Sequence, residues 1–465
     1  MGRRFLADAL IVVAGFYTAT VIRFADPLPP KLFLYLPSII ICALLLPSAI
    51  YITGLYAQEQ IHGPLLRRHL RLACALGIMI VTALAVGSLV FDARVGRGVM
   101  ALAVVITTPF VLLHHALLRR GVMAHPHRFS CVVASLEDEE EAVRLAAIDK
   151  PHFVSAGVFT GGGYEPSPDF ALKVLGSVET AIGRAVLVHV DSLVCRAEHL
   201  RLPGVASTLR TLRYQGVSVM TLMDAFEDLY QIAPLELVNE EWLLHASAKP
   251  QLFYIRKLKR AFDIIVAITL LALLGPVCLA VMVLLWLTSK GPVLFRQERV
   301  GRFGRKFPVV KLRTMCVGAD AGGAQWSNRS DLRVTPLGRW LRKYRIDEIP
   351  QLMNILRGEM SFVGPRPEQP ELAVEIEKQI PYFSERLMMQ PGLTGWAQVR
   401  YPYGASLSDA ERKLEYDLYY LKHMSLALDL FILLDTVRII LRGGARYTPP
   451  VRMKELAAKA AETSA

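Results

Sequence analysis

Four long apolar stretches dominate the first quarter of the chain. They lie at about 5–22, 32–56, 72–91 and 98–118, and each has roughly the ~20 residues that a helix needs to cross a bilayer. Lysine and arginine are slightly more frequent at the two outer ends and in the second connection than in the other connections. Because positively charged loops stay in the cytoplasm, this bias predicts four transmembrane helices with both ends in the cytoplasm.

Between about 126 and 245 the pattern changes to short strands that alternate with helices. β-branched runs at 130–134, 153–159, 185–190 and 217–221 have the length and composition of strands, and helical stretches separate them. This alternation predicts a Rossmann-like α/β domain.

The α/β domain lacks the sequence features of a nucleotide-binding site. No Gly-x-Gly-x-x-Gly follows the first predicted strand, and the acidic run 137–141 opens the next helix. Acidic side chains at a helix N-terminus stabilise the helix dipole themselves and repel a pyrophosphate. We therefore interpret this domain as a spacer, dimerisation or regulatory module without a phosphate loop.

A further apolar stretch at about 258–287 is long enough to cross a bilayer, but basic clusters flank it on both sides. A spanning helix would place one of these clusters on the unfavourable side of the membrane. Gly275-Pro276 lies near the middle, and proline kinks a helix because it removes a backbone hydrogen bond. The residues leave two alternatives open: a re-entrant helix that bends at Pro276 and returns to the cytoplasm, or an ordinary spanning helix.

The chain beyond 287 is polar and basic, with helices predicted at 372–379 and 409–421. The stretch 426–441 is apolar but contains two aspartates and an arginine, so we expect an interfacial helix or one packed on the domain. These patterns predict a membrane α plus α/β architecture with four parts: a transmembrane anchor at 1–122, the Rossmann-like domain at 123–247, a mainly helical C-terminal domain at 248–450 and a flexible tail at 451–465.

Composition agrees with a membrane protein. The chain has 465 residues, of which 53% are hydrophobic, and its mean hydropathy of +0.36 is high for a soluble protein. The net charge of +12 is concentrated beside the apolar segments and accompanies no nucleic-acid-binding motif. It favours contact with anionic lipids and phosphorylated substrates over nucleic acid. The six cysteines are scattered, which argues against a disulfide framework or a zinc site.

The strongest chemical signal is an adjacent acidic pair, Asp347-Glu348, which lies between a basic helix and a proline. The rigid sequence Gly364-Pro365-Arg366-Pro367 follows shortly afterwards. One carboxylate can act as a nucleophile and the other as a metal ligand, while arginines offset the charge of phosphoryl oxygens. An isolated acidic pair is more often a solvated charged turn, but its surroundings here favour chemistry on a phosphate.

Six motifs follow one another between about 257 and 443. They occupy residues 259–263, 291–301, 311–315, 338–352, 363–367 and 391–399. In this order they resemble the motifs of the bacterial sugar transferase family, the polyprenyl-phosphate hexose-1-phosphate transferases. The N-terminal apolar stretches and the segment 401–406 resemble the large exopolysaccharide-priming branch, which often accompanies exosortase-type export systems.

The resemblance implies an enzyme that transfers a hexose-1-phosphate from a UDP-sugar to undecaprenyl phosphate, releases UMP and so primes exopolysaccharide synthesis. It implies a covalent sugar-phosphate on Asp347, Mg²⁺ as cofactor and Glu348 as a metal ligand. It also favours the re-entrant helix kinked at Pro276. The phosphate-binding residues that the resemblance implies are Lys311, Arg313, Arg342 and Arg366.

The resemblance further implies a multi-pass protein of the bacterial inner membrane, with the lipid bilayer as a partner and the catalytic domain in the cytoplasm. A homo-oligomer and the polysaccharide export machinery are additional partners that it leaves open. The chain departs from many members at Arg345, where they have a small polar residue, and at 400–402, where small members have Asn-Gly-Arg. The sequence does not identify the sugar.

Two other functions compete with this interpretation. One is a non-enzymatic membrane scaffold or regulator of polysaccharide export, and the intact Asp347-Glu348 pair argues against it. The other is an inverting glycosyltransferase, which would need an Asp-x-Asp metal motif that the chain lacks. Since all the motifs lie after about 257, the sequence also predicts that a chain starting near Ala248 is active.

Overall fold

The computed structural model has a membrane region, a parallel sheet and a mainly helical C-terminal region. It describes residues 2–27, 31–53, 77, 97–124, 127–146, 153–181, 190–202, 204–247, 257–289, 291–316, 318, 333–401 and 406–441. The chain forms two compact units: Met1–His127 with Asp149–Val154, and Arg128–Ile148 with Ser155–Ala465.

The first unit contains three long helices in its described part. They are α1 (Gly2–Phe24), α2 (Lys31–Thr53) and α3 (Arg97–Ala124), and each is long and apolar enough to cross a membrane. These helices confirm three of the four predicted N-terminal membrane segments. The remaining stretch, 72–91, lies almost entirely outside the described residues.

Two close contacts join α1 to α3. A Cβ added at Gly15 would lie 2.2 Å from the Thr107 Oγ1, so glycine permits the helices to approach here. The buried carboxylate of Asp8 lies 2.7 Å from the Nδ1 of His114 and 3.0 Å from the Nε2 of His115. Polar partners of this kind reduce the large cost of a carboxylate among membrane helices, so they fix the pairing of α1 with α3.

The α/β region contains a single five-stranded sheet among the described residues. Its elements are β1 (His127–Val133), α4 (Leu136–Ala146), β2 (Phe153–Thr160), β3 (Val174–Ser177), β4 (Ser192–Cys195), α5 (Val205–Tyr214), β5 (Ser218–Thr221) and α6 (Leu222–Tyr230). The strand order is β3-β2-β1-β4-β5, and the pairs β2/β3, β1/β4 and β4/β5 are parallel.

The predicted strands at 130–134, 153–159 and 217–221 are confirmed as β1, β2 and β5. The predicted strand at 185–190 lies outside the described residues except at its last position. Strands β3 and β4 were not predicted, because each has only four residues and shows little alternation.

Charged side chains of the chain itself fill the edge between β1 and β4. Arg196, just after β4, donates to Glu141 and Glu137 at 3.0 Å each, and the Nε2 of His199 lies 3.0 Å from the carboxylate of Asp138. In open parallel sheets, ligands bind at this edge, where the strand order reverses. Here a network of ion pairs lies at that edge.

The C-terminal region is mainly helical, as predicted. Its elements are α7 (Glu240–Ser247), α8 (Lys259–Thr288), β6 (Leu294–Val300), β7 (Lys306–Leu312), α9 (Pro336–Lys343), a 3-10 helix (Ile346–Gln351), α10 (Leu352–Arg357), β8 (Ser361–Val363), α11 (Pro370–Gln379), β9 (Gly392–Thr394), α12 (Trp396–Arg400), α13 (Leu407–His423) and α14 (Leu426–Leu441). Strands β6 and β7 form an antiparallel hairpin, and β8 pairs with β9 in parallel. Helices α11, α13 and α14 confirm the three helices predicted in this part of the sequence.

Helix α7 packs on the C-terminal region. Its buried Trp242 and Ala246 share an apolar core with Leu414 and Leu418 of α13. The domain boundary predicted between 247 and 248 therefore separates residues that pack together.

The first turns of α8 are fixed to the elements that follow it. The carboxylate of Asp263 accepts a hydrogen bond from the amide of Phe362 in β8 at 3.0 Å. The guanidinium of Arg260 donates to the carbonyl of Leu356 at the C-terminal end of α10 at 2.7 Å, where helix carbonyls lack internal partners. The N-terminal end of α8 thus positions the short β8 strand that leads into the Gly-Pro-Arg-Pro loop.

Candidate active site

Asp347 and Glu348 lie in the 3-10 helix that joins α9 to α10. The preceding Arg345 adopts a left-handed conformation with φ 57°, which is uncommon for a residue with a Cβ atom. This turn directs both acidic side chains inward, and only 7% of the surface of each residue is exposed. The alternative of a solvated charged turn does not describe this pair.

Helix α9, which leads to the pair, begins with two residues typical of a helix N-terminus. Thr335 is its N-cap, and the side-chain oxygen accepts a hydrogen bond from the amide of Gly338 at 3.0 Å. Pro336 occupies the first helical turn, where its missing amide hydrogen costs nothing.

Asp347 carries a buried side-chain oxygen, Oδ1, with no hydrogen-bond partner among the described residues. Burial and the adjacent Glu348 carboxylate raise the pKa of Asp347, although Lys311, Arg345 and Arg342 partly oppose this effect. The folded protein therefore holds a poorly solvated carboxyl group that lies within the field of several cations.

Glu348 is held ionised by the same cations. Burial alone would raise its pKa, but Arg345, Lys311 and Arg366 together hold the pKa below its usual value. The Arg345 Nη1 donates to the Glu348 Oε1 at 3.0 Å, and the Arg366 Nη1 lies 4.0 Å from the same oxygen. The pKa of Asp347 is thus raised, whereas the pKa of the neighbouring Glu348 is lowered.

Lys311 lies on β7 beside the acidic pair. Burial and the charge of Arg366 lower the pKa of Lys311 to about 8, while Glu348 and Asp347 oppose the shift. Its ammonium is the cation of this site whose charge changes close to neutral pH.

Two other predicted phosphate-binding residues occupy different places. The Nε of Arg342 donates to the Thr314 Oγ1 at 2.9 Å, and its charge reaches Asp347. Arg313 is buried and donates to the Ser289 carbonyl at 3.1 Å and to the Ser289 hydroxyl at 2.6 Å, at the C-terminal end of α8. The structure therefore brings Lys311, Arg342 and Arg366 to the pair and directs Arg313 to the membrane helix.

The Gly-Pro-Arg-Pro loop is packed tightly against the segment that contains β9. A Cβ added at Gly364 would lie 2.1 Å from the Gln390 carbonyl oxygen, so this position requires glycine. The amide of Gly364 donates to the Thr394 carbonyl at 2.9 Å. The resulting backbone path presents Arg366 to Glu348.

Trp396 of α12 contributes to the packing around this region. It is buried, and its indole nitrogen donates to the Gln231 carbonyl at 2.9 Å. The guanidinium of Arg400 stacks on its ring at 4.3 Å and donates to the side chain of Gln231 at 3.0 Å. Trp396 is therefore a packing residue in this structure.

Sequence reasoning gave no site role to two further arginines. Arg345 binds Glu348 directly, although the sequence signal was only its departure from the family pattern. Arg299 on β6 donates to the Pro367 carbonyl at 3.3 Å. Its charge also lowers the pKa of Lys311, by less than burial and Arg366 do. Arg299 pairs with Phe307 rather than with Lys311, so the strand register alone would not have indicated this role.

The acidic pair fits a magnesium ion chemically. Mg²⁺ binds one or two carboxylates together with phosphate oxygens and water. Glu348 is held ionised, and the buried Asp347 Oδ1 lacks a partner among the described residues. Glu348 is the residue that would hold the metal.

Comparison with known proteins identifies the C-terminal region. The bacterial sugar transferase family model matches residues 254–443. An N-acetylgalactosaminephosphotransferase from Aeromonas hydrophila, named for UDP-N-acetylgalactosamine and undecaprenyl phosphate, is 45% identical over 190 residues, which cover 41% of this chain and 45% of the relative.

Two glucose transferases extend the comparison. The undecaprenyl-phosphate glucose phosphotransferase of Komagataeibacter xylinus is 35% identical over 280 residues, covering 57% of this chain and 51% of the relative. The UDP-glucose:undecaprenyl-phosphate glucose-1-phosphate transferase of Caulobacter vibrioides is 42% identical over 191 residues, covering 41% of this chain and 72% of the relative. The matched segment thus spans about half the length of the first two relatives and most of the third.

Proposed function

Because the chain belongs to the bacterial sugar transferase family, we propose that it transfers a hexose-1-phosphate from a UDP-sugar to undecaprenyl phosphate and releases UMP. The relatives named above act on undecaprenyl phosphate and carry either a glucose or an N-acetylgalactosamine name. The observation that carries the proposal is the buried Asp347 carboxyl group with an unpaired oxygen beside Glu348.

The chemistry proceeds in two displacements at phosphorus. A carboxylate oxygen of Asp347 attacks the sugar-bearing phosphorus of the UDP-sugar, and the bond to the UMP oxygen breaks. An oxygen of undecaprenyl phosphate then attacks the same phosphorus and displaces Asp347, which returns as a free carboxylate. Each displacement forms one phosphorus–oxygen bond and breaks another, so the protein needs no oxidant or reductant.

The cations around the pair support both displacements. Lys311 and Arg366 approach Glu348, and Arg342 adds its charge at Asp347. They offset the negative charge that two phosphate groups bring to a buried carboxylate. When bound, Mg²⁺ would withdraw further charge from the phosphoryl oxygens, with Glu348 as its protein ligand.

The direct test uses the full chain in membranes. UDP-glucose, UDP-galactose and their N-acetylated forms are supplied with undecaprenyl phosphate, and the nucleotide product and the extracted lipid are measured. We expect UMP and a lipid-linked sugar diphosphate with one of the donors. Release of UDP would identify an inverting glycosyltransferase, and the absence of both products with every donor would favour the scaffold.

The charge of Lys311 predicts an upper limit to the active pH range. Since its pKa is about 8, the ammonium loses its charge as the pH rises through that value. We expect kcat/KM for UMP release to fall above about pH 8, because phosphate binding weakens. In Lys311→Arg the side chain stays charged, so the fall should be absent up to about pH 9.5 even if the maximum is lower. If kcat/KM falls in the same way in this variant, the decline is caused by another group.

Contacts at the two ends of α8 support a re-entrant course. At one end, the Lys259 ammonium lies 2.5 Å from the Asp429 carboxylate of α14. At the other end, Ser289 accepts hydrogen bonds from Arg313, which follows β7. A straight helix of this length would be about 45 Å long and would separate its ends across a membrane. Both ends instead contact one domain, which we place on the cytoplasmic side of the bacterial inner membrane.

Single cysteines at positions 256 and 290 test this topology. The six native cysteines are first replaced, and intact cells are treated with a membrane-impermeant thiol reagent. We expect both positions to be protected until the membrane is opened. Pro276→Ala favours a straight helix, so part of that variant should become labelled from outside at one position. Labelling of either position in the chain with native Pro276 would establish a spanning helix.

A further inference from the structure

The backbone of the loop around Arg366 is fixed by three hydrogen bonds from outside the loop. The carbonyl of Pro365 accepts from the amide of Gly392 at 2.9 Å, and the carbonyl of Pro367 accepts from Arg299 at 3.3 Å. The carbonyl of Arg366 itself accepts from the Nη2 of Arg386 at 3.0 Å. Proline limits rotation on both sides of Arg366, so these three bonds set the direction in which its side chain leaves the loop.

Arg386 is built into the protein more firmly than a surface arginine. It is buried, with 6% of its surface exposed, and its Nη2 lies 2.9 Å from the Asp417 carboxylate of α13. Its Nη1 lies 3.7 Å from the Glu368 carboxylate, and its guanidinium stacks on the Phe383 ring at 5.0 Å. The ion pair with Asp417 and the stacking on Phe383 together restrict the orientation of this buried guanidinium.

A cleft beside the loop leaves room for the loop to move if the bond from Arg386 is lost. This small cleft is lined by Arg366, Arg386, Glu368, Phe383 and Met389. Without the Arg386 side chain, the cleft would widen and the Arg366 carbonyl would lose its donor. The loop could then relax toward the vacated space, and displacements of about 1 Å can lower enzymatic rates roughly 100-fold.

We propose that Arg386, anchored by Asp417, is a positioning residue that holds the Arg366 guanidinium beside Glu348 for binding the substrate phosphate. This inference rests on the proposed function. In the part of the chain that the structure describes, Arg386 forms no hydrogen bond or ion pair with Asp347 or Glu348, so it acts on the site through Arg366.

Asp417 gives the anchor a dependence on pH. Burial raises the pKa of Asp417 to about 6, although Arg386 opposes the shift. As the pH falls through about 6, Asp417 takes up a proton and loses the charge that holds Arg386. The neighbouring charges are Glu368, which raises the pKa further, and Lys413, which lowers it.

A double-mutant cycle distinguishes positioning from general support of the fold. Arg386→Met is measured alone and together with Arg366→Met, with kcat/KM for UMP release as the readout. If Arg386 acts through Arg366, we expect a loss of at least about 10-fold in the native background and less than about 2-fold when Arg366 is already absent. Equal losses in both backgrounds would overturn the proposal.

Two further variants keep the experiment interpretable. Arg386→Met leaves Asp417 buried without its partner, so Arg386→Met with Asp417→Asn removes both charges and should fold while the loss of kcat/KM persists. The matched control is Arg412→Met, since Arg412 is a buried, ion-paired arginine on the same helix as Asp417. Any effect of this control should be the same in both Arg366 backgrounds.

A binding measurement separates this proposal from the proposed function. Inorganic pyrophosphate is titrated into the full-length protein and the same variants. We expect Arg386→Met to weaken pyrophosphate binding only where Arg366 is present. If this pattern holds but no UDP-sugar yields UMP, the proposed function fails and the positioning role stands. If UMP is released but the two substitutions act independently, the positioning role fails alone.

Discussion

Asp347→Asn should reduce UMP release by at least about 10³-fold while the protein still folds and enters the membrane. The amide has nearly the same shape as the carboxyl group but lacks the negative charge that attacks phosphorus. The Oδ1 of Asp347 has no hydrogen-bond partner among the described residues, so the substitution breaks no hydrogen bond to them at that atom.

The same variant should be at least as stable as the native protein at neutral pH. The pKa of Asp347 is raised in the folded state, chiefly by burial and then by Glu348. For an acid, a raised pKa means that the ionised form destabilises the folded state at pH values above the unfolded pKa. Removing that charge should therefore leave the midpoint of thermal unfolding unchanged or higher.

Asp169→Asn is the control for this experiment, since Asp169 is an exposed aspartate of the α/β region. It should retain full activity. Mass spectrometry of the intact protein, incubated with the UDP-sugar but without the lipid, should detect a sugar-phosphate on the native chain and none on Asp347→Asn. Substantial turnover by the variant, or an adduct on another residue, would remove Asp347 from the mechanism.

A chain that starts at Ala248 should be inactive or poorly folded, whereas one that starts at Thr221 should remain active. The first truncation removes Trp242, which packs against Leu414 and Leu418. Loss of a buried aromatic side chain typically costs about 3–5 kcal/mol, which is a large fraction of the stability of a domain.

Polar contacts lead to the same expectation. Glu227 of α6 accepts hydrogen bonds from Trp242 at 3.1 Å and from Lys422 at 2.7 Å, and it lies 2.7 Å from the Nε2 of His423. Truncation at Ala248 removes Glu227 and leaves the half-buried Lys422 without this partner. The chain starting at Thr221 keeps these contacts and also the N-cap of α6.

The comparison is made in membranes, with full-length protein as the reference. UMP release and resistance to proteolysis are measured for both truncated chains. Equal activity of the two would support the boundary that the sequence predicts, near Ala248. Inactivity of both would mean that a part of the chain before Thr221, either the membrane helices or the five-stranded sheet, is required for the transfer.

The features that the sequence predicts best depend on local patterns. Apolar length predicts α1, α2 and α3. The Asp347-Glu348 pair is recognisable because a basic helix, a proline and the Gly364-Pro365-Arg366-Pro367 sequence accompany it.

The features that the sequence does not predict depend on contacts between distant residues. The bond from Arg313 to Ser289 bridges 24 positions, and the bond from Arg386 to Arg366 bridges 20. Neither follows a helical or strand period, so no local pattern reveals it. The left-handed conformation of Arg345 is equally hidden, because its side chain disfavours that conformation.

The buried charges at the start of α8 have a consequence for biosynthesis. Asp263 binds the amide of Phe362, which lies 99 positions later in the chain, and Lys259 binds Asp429, which lies 170 positions later. When α8 leaves the ribosome, neither partner has been translated, so water or lipid headgroups must solvate both charges meanwhile. Helix α8 therefore reaches its final position late in folding, only after α14 has been synthesised.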